Sequence, residues 1–251
     1  EHMTFPEVVK FLAEREAIEI PRENDPDFEK KADLYNYLDR AAKFFESCLY
    51  DSSAGTVARD YLKKRKINGE TAKKFRIGFA PNAWDSIVHR LGKTPEDLAS
   101  LERAGLIKAR GQGEGFYDVF RNRLMIPILD IHGRVAGFGG RVMSPEDEPK
   151  YLNSAESETF NKRRMLFNFR EAVPVARRLN SVIVVEGYLD AISLFQNGIK
   201  NVVASLGTAI SAEQIHMLAR NCETLYFCYD ADAAGQRATL RAISLQKDAP
   251  V

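Results

Sequence analysis

The sequence has too few cysteines for a disulfide framework or a zinc site. Its 251 residues include three cysteines, Cys48, Cys222 and Cys228, and no Cys-x-x-Cys pair. Structural zinc sites use four Cys or His ligands at close spacing, and small secreted domains are rich in paired cysteines. Neither class of protein fits, and we expect a reduced, cytoplasmic setting.

Long apolar runs are also missing. No segment reaches the roughly 20 apolar residues that a membrane helix needs, and the first residues show no signal-peptide pattern. We therefore expect no membrane partner. The formal net charge is +1, so only local clusters of charge can indicate a polyanionic partner.

The sequence does contain a change of pattern near Asn180. Before it, helical spacing surrounds one predicted β-hairpin, at 124–130 and 135–139. After it, strands and helices alternate, with predicted strands at 182–185, 201–204 and 225–229. Such alternation predicts a parallel sheet with crossover helices. The predicted fold is α/β, with a mixed α+β subdomain over residues 1–179 and a parallel α/β subdomain, expected to be truncated, over 180–251.

Acidic residues follow two of these predicted strands. Glu186 follows the first, Asp230 and Asp232 follow the last, and Asp190 lies one turn into the helix after Glu186. Because the carboxyl ends of parallel strands meet at one edge of a sheet, we expect these carboxylates to lie together. Oxygen ligands suit Mg²⁺ or Mn²⁺, which indicates metal-dependent phosphate chemistry. For either segment alone the alternative is structural, with Asp230 capping the next helix.

Basic residues gather in two regions upstream. Residues 59–76 contain eight Lys and Arg against two acids, which indicates either a face for a phosphate backbone or a solvated helix face. The second region surrounds the hairpin and holds Arg121, Arg123, Arg141, Lys150, Asn153, Ser154 and Lys162. Arg and Lys suit phosphate groups, and the Asn and Ser side chains could contact a sugar or a base. Plain surface arginines of a β-domain are the alternative.

Together these segments resemble the Toprim domain and the preceding RNA-polymerase core of bacterial DnaG-type primases. The Toprim resemblance rests on VVEGYLD at 184–190, ASLGT at 204–208 and CYDADAAG at 228–235. The upstream resemblance rests on FRIGFAP at 75–81, FRNRLMIP at 120–127, GFGGR at 137–141 and PKYLNS at 149–154. The Toprim motif alone is shared with topoisomerases and some nucleases, whereas the upstream motifs are not.

The resemblance implies a DNA-dependent RNA polymerase that makes short RNA primers on single-stranded DNA during replication. It implies that Glu186, Asp230 and Asp232 are catalytic and that they bind Mg²⁺ or Mn²⁺ together with Asp190. The residues expected to contact NTPs and the template–primer are Arg121, Arg123, Arg141, Lys150, Asn153 and Lys162.

The resemblance also implies what lies outside this chain. The family's zinc-binding domain, a later Asp-x-Asp motif, a helical subdomain and the domain that binds the replicative helicase are expected there, and a monomer is expected. Two alternatives stay open. One is another Toprim enzyme, such as a topoisomerase or a nuclease, and the other is a DNA-binding fragment whose metal site is incomplete.

Overall fold

In a computed structural model, the described residues are 26–51, 53–111, 115–144, 146, 148–207 and 209–247. The chain divides between Asp33 and Leu34 into two units. In the first unit, the described residues are 26–33, the start of the first helix. The second unit carries every other element.

The first five α-helices among the described residues are α1 (Pro26–Tyr50), α2 (Thr56–Lys64), α3 (Gly69–Lys74), α4 (Ser86–Leu91) and α5 (Pro95–Arg103). One face of α1 carries an apolar stripe that is buried, since Leu38, Ala41, Phe45 and Leu49 are each at most 2% exposed. Helix α5 begins with a capping box, in which Thr94 and Asp97 each bond the other's backbone N–H.

Six strands form an antiparallel part. They are β1 (Gly78–Ala80), β2 (Ile107–Ala109), β3 (Phe116–Asp118), β4 (Arg123–Leu129), β5 (Val135–Val142) and β6 (Tyr151–Asn153). Strands β1-β4-β5-β6 form one sheet in that order, and β2 and β3 form another. The predicted hairpin is confirmed as β4 and β5.

Pro127 lies inside β4, where a missing N–H would normally disrupt a sheet. Among the described strands, β1 pairs with β4 only from Arg123 to Met125, so at Pro127 the β1 side of β4 needs no donor. The register with β5 then shifts between Ile128 and Leu129. Pro127 thus lies where β4 is unpaired on its β1 side and close to a shift of register, which are positions that proline tolerates in a sheet.

The second part alternates as predicted. Its elements are α6 (Phe169–Leu179), β7 (Ser181–Val185), α7 (Tyr188–Gln196), β8 (Val202–Ala204), α8 (Ala212–Ala219), β9 (Thr224–Cys228) and α9 (Ala233–Lys247). Strand β7 lies between β8 and β9, parallel to both. The α/β fold class is confirmed, and the division after residue 179 stays a prediction.

One hydrophobic cluster joins the two sheets. It contains Leu124, Ile126 and Ile128 from β4 together with Ile192 from α7 and Val202 from β8. The antiparallel sheet is therefore packed beside the ends of the parallel strands, where the predicted acids lie. Among the helices of the described residues, none is both long and apolar enough to cross a membrane.

Candidate active site

The carboxyl ends of the three parallel strands are aligned. Val185, the last residue of β7, pairs with Ala204 of β8 and with Cys228 of β9. Glu186 therefore leaves the sheet beside the segment that carries Asp230. This edge of an open α/β sheet is where such folds bind ligands.

Glu186 and Asp230 are in direct contact. The backbone N–H of Asp230 donates to Oε1 of Glu186 over 3.1 Å. The first turn of α9 closes against both, because a Cβ added to Gly235 would lie 2.1 Å from the Asp230 carbonyl oxygen and 2.9 Å from Glu186 Oε1. Real Cβ atoms do not approach backbone oxygen so closely. Only glycine fits at position 235, which explains why the CYDADAAG segment has a glycine five residues after Asp230.

Asp232 holds the start of α9. Its Oδ1 atom accepts the Gly235 N–H over 2.8 Å, and its carbonyl oxygen accepts the Gln236 N–H over 3.0 Å. This is the geometry of a helix N-cap, the structural role considered above for Asp230. The predicted role of Asp232 as a metal ligand stays a prediction.

Asp190 lies in the first turn of α7 and is exposed at the same rim. Partial loss of solvent and the charge of Asp230 raise the pKa of Asp190, while Arg65, a backbone bond and Arg141 oppose the shift. The carboxylates of Asp190 and Asp230 therefore repel each other, and a cation between them would relieve that repulsion.

The donor set fits a divalent metal of the Mg²⁺ type. No group of three His, Cys, Asp or Glu side chains in the described part of the chain is arranged to hold a metal as it stands. Mg²⁺ rarely needs such a cage, because it usually keeps several waters and binds one or two carboxylates together with substrate phosphates. A rim of separated carboxylates is compatible with that mode of binding.

Arg141 faces the acidic rim from β5. Its guanidinium carbon lies 5.1 Å from the ring centres of both Tyr61 and Tyr151, and its charge acts on Asp190. Its Nε atom is buried and has no hydrogen-bond partner among the described residues. The structure thus places this predicted NTP-binding residue beside the acids.

Arg123 is buried instead, at 5% exposure. Its Nη1 atom donates to the carbonyl oxygens of Gly140, over 3.1 Å, and Pro149, over 2.8 Å, and its Nη2 atom donates to Glu148 over 3.4 Å. It joins β5 to the segment before β6. The predicted contact with phosphate stays a prediction, and it would require these bonds to be exchanged.

Arg121, two residues earlier, lies in a cleft. Its guanidinium carbon is 4.3 Å from the ring centre of Trp84 and 5.5 Å from that of Tyr117. The cleft has a volume of about 470 Å³, and Lys108 and Asn82 also line it. The Trp84 side chain is 60% exposed, which is unusual for so large an apolar residue.

We expect Arg123→Met and Arg121→Met to differ in their effect on stability. Replacing Arg123 leaves three carbonyl groups without this donor and should lower the free energy of unfolding by about 2–4 kcal/mol. Replacing Arg121 removes two partly exposed cation–π contacts and one hydrogen bond to the Asp118 carbonyl oxygen, and should cost about 1 kcal/mol. Denaturant unfolding of the two variants measures both. Equal losses would contradict the structural role of Arg123.

Asn153 connects the two sheets. It accepts the hydroxyl of Tyr188 at Oδ1 over 2.6 Å and donates from Nδ2 to the Leu206 carbonyl oxygen over 2.8 Å. Ser154 is buried, and its hydroxyl oxygen accepts the Phe138 N–H over 2.9 Å. The predicted contact of Asn153 with substrate stays a prediction.

The two predicted lysines lie on connecting segments. Lys150 is exposed immediately before β6, whereas Lys162 is partly exposed in the loop after β6. The backbone of Lys162 is fixed, because its N–H donates to Glu156 over 3.0 Å and its carbonyl oxygen accepts from the buried Gln214 over 2.8 Å. Their contact with NTPs stays a prediction.

Interpretation of the sequence missed Trp84, Tyr117 and Lys108 in the cleft, and it did not assign Arg65 to the acidic rim. Nothing in the local sequence marks the Trp84 side chain as exposed. Arg65 belongs to the first basic region. The charge of that region indicates phosphate contact, but the sequence does not show which of its residues face the acids.

Comparison with known families gives two matches. The family model described as DNA primase catalytic core, N-terminal domain, matches residues 44–173, and the model described as Toprim-like matches residues 183–251. A DNA primase of Pseudomonas aeruginosa is 41% identical over 249 residues, which are 97% of this chain and 37% of that protein. The chain therefore spans less than half the length of this relative.

Solved structures agree with these matches. A DNA primase domain from Pseudomonas aeruginosa has a TM-score of 0.81 and 43% identity, over 84% of this chain and 66% of that one. The DnaG primase catalytic domain bound to single-stranded DNA has a TM-score of 0.79 and 41% identity, over 86% of this chain and 67% of that one.

Proposed function

The chain belongs to the DnaG-type DNA primase family, and from this premise we propose that it carries the nucleotidyl-transfer site of a primase. That site would make short RNA primers on single-stranded DNA during replication. The observation that carries the proposal is the contact of Glu186 with Asp230 at the carboxyl ends of adjacent parallel strands, where the Asp230 N–H donates to Glu186 Oε1 over 3.1 Å. Residues 180–251 would form the metal-binding part, and residues 1–179 the part that contacts DNA and NTPs.

The reaction would join a primer 3′-hydroxyl to the α-phosphate of an NTP, with pyrophosphate as the leaving group. Membership of the family implies dependence on a divalent metal in general. When bound at this rim, Mg²⁺ or Mn²⁺ would lower the pKa of the attacking hydroxyl and neutralise charge on the leaving oxygens. Glu186, Asp190, Asp230 and Asp232 are the residues that would hold it.

The basic residues of the chain would orient the triphosphate. Arg141 lies beside Asp190, and Lys150 and Lys162 are carried by the neighbouring segments before and after β6. Fixed cations restrain phosphate groups in a geometry suited to in-line attack, and such positioning supplies much of the catalysis in phosphoryl transfer.

The cleft of Trp84, Tyr117 and Arg121 would bind the template strand. Exposed aromatic rings stack with bases regardless of sequence, and nearby Lys and Arg attract the backbone. A related catalytic domain has been solved with single-stranded DNA, which supports the same partner for this chain. Binding should weaken steeply with salt.

A topoisomerase would need a tyrosine nucleophile, and the two tyrosines flanking the acids are poorly suited. Burial and the charge of Glu186 raise the pKa of Tyr229 to about 12. Its hydroxyl is buried without a partner among the described residues. Burial also raises the pKa of Tyr188, whose hydroxyl donates to Asn153. Neither hydroxyl is accessible for attack on a DNA phosphate, because both are buried.

The proposal also includes an RNA primer as product, a replicative helicase as partner of the whole protein, a monomeric state and a cytoplasmic location.

The proposal is tested with this chain, a single-stranded DNA template, labelled NTPs and Mg²⁺ or Mn²⁺. We expect short RNA products that require both template and metal.

A parallel reaction with supercoiled plasmid separates the alternatives. Relaxed or cut plasmid without RNA would overturn the proposal in favour of another Toprim enzyme. Binding of single-stranded DNA with no RNA and no response to either metal would overturn it in favour of a DNA-binding fragment.

A further inference from the structure

Tyr61 contacts two arginines at the acidic rim. It lies in α2, and its hydroxyl oxygen accepts the Nε–H of Arg65 over 2.9 Å. The same guanidinium lies 5.4 Å from the Tyr61 ring centre. One turn of helix thus fixes the orientation of Arg65, whose residue is exposed and would otherwise sample many rotamers.

The ring of Tyr61 also contacts the second arginine. The Arg141 guanidinium carbon is 5.1 Å from the ring centres of Tyr61 and Tyr151. Aromatic faces attract a guanidinium group and hold it in place while leaving its edge donors available. The buried Nε atom of Arg141 has no hydrogen-bond partner among the described residues. The side chain is held by the two ring contacts and by a hydrogen bond with the Tyr151 side chain.

This pair of arginines belongs to the candidate site by position. The ring of Tyr151 lies 6.2 Å from that of Tyr188, which begins α7 two residues after Glu186 and two before Asp190. Arg65 comes from the end of α2 and Arg141 from β5, elements remote in sequence. The Tyr61 side chain contacts both guanidinium groups and so connects these two elements.

We propose that Tyr61 is a positioning residue that holds Arg65 and Arg141 side by side, so that both guanidinium groups engage the triphosphate of an incoming nucleotide. This inference rests on the proposed function, because it assumes that a nucleotide binds at this rim. Two guanidinium groups in fixed relative positions can bind separate phosphates of one chain with little further loss of side-chain entropy.

The test measures binding of a fluorescent ATP analogue to this chain with Mg²⁺, and its displacement by inorganic tripolyphosphate. Tyr61→Phe keeps the ring and removes the oxygen that accepts from Arg65, so affinity should fall about threefold. Tyr61→Leu also removes the ring face, so affinity for both probes should fall at least about tenfold. A general structural role would leave Tyr61→Phe equal to the unaltered chain, because phenylalanine keeps the packing of the ring.

Tyr50 offers a matched control, because its ring contacts Lys73 at 5.9 Å and is not among the contacts described at the rim. Tyr50→Leu should leave both affinities within twofold of the unaltered chain. If Tyr61→Leu fails to fold, Tyr61→Phe still decides, because its expected loss depends on one hydrogen bond.

The inference is overturned if both Tyr61 variants bind ATP as the unaltered chain does, or if ATP binding falls while tripolyphosphate binding does not. It is also overturned if the unaltered chain binds neither probe. Its failure is distinguishable from failure of the proposed function. Phosphate binding that depends on Tyr61 in a chain that makes no RNA would support the inference and contradict the primase assignment.

Discussion

Primer synthesis should fall about a hundred- to a thousandfold when Glu186 is replaced by Gln. The substitution removes the negative charge but keeps an oxygen able to accept the Asp230 N–H, which now donates to Glu186 Oε1. The loss therefore reports on charge at the strand ends, where developing charge must be balanced in the transition state. The rate of template-dependent RNA synthesis measures it, with denaturant unfolding as the check on the fold.

Glu223→Gln is the matched control. Glu223 precedes β9, whereas Asp230 follows it, so the same change of charge is made at the opposite end of the same strand. Its activity should stay within twofold of the unaltered chain. Synthesis above half the normal rate in Glu186→Gln would contradict the assignment of the acidic rim as the active site.

Gly235→Ala is expected to impair both stability and synthesis. The added Cβ would lie 2.1 Å from the Asp230 carbonyl oxygen, so the start of α9 or the strand end must move. Overpacking of this kind typically costs about 1–3 kcal/mol. Movement there also disturbs the Asp232 cap, and we expect synthesis to fall at least about tenfold, as a small displacement of reacting groups can produce.

Gly69→Ala provides the comparison. It is the first residue of α3, and a Cβ there would meet nothing within 4 Å. Because alanine reduces the freedom of the unfolded chain, this variant should be unchanged or up to about 1 kcal/mol more stable. If Gly235→Ala had the same free energy of unfolding and the same rate of synthesis as Gly69→Ala, the close approach of α9 to the acids would not be needed for function.

The sequence predicted the strands of five or more residues, and also β8, which has three residues but belongs to the alternating series of strands and helices. Strands β4, β5, β7 and β9 have five to eight residues, and their positions were predicted. Strands β1, β2, β3 and β6 have three residues each, too few to show alternation. The polar segment 144–158 contains β6, because pairing with β5 outweighs local preference.

The location of the acids followed from the pattern, since a carboxylate after a parallel strand must lie at the ligand-binding edge. The environment of each arginine did not. Arg121 and Arg123 are separated by one residue, yet one lies in an aromatic cleft and the other is buried against carbonyl groups. That difference depends on Trp84 and Pro149, which are distant in sequence. It therefore cannot be predicted from the residues next to the two arginines.

The bonds of Asn153 limit how freely parts of this chain could be exchanged with those of other proteins. Asn153 lies in the region matched by the primase model, and its partners Tyr188 and Leu206 lie in the Toprim-like region. The carbonyl oxygen is a backbone atom that any grafted segment supplies, whereas the hydroxyl requires a tyrosine at position 188. A chimera with another Toprim segment would therefore need that tyrosine, or a different residue in place of Asn153, to keep the two regions joined.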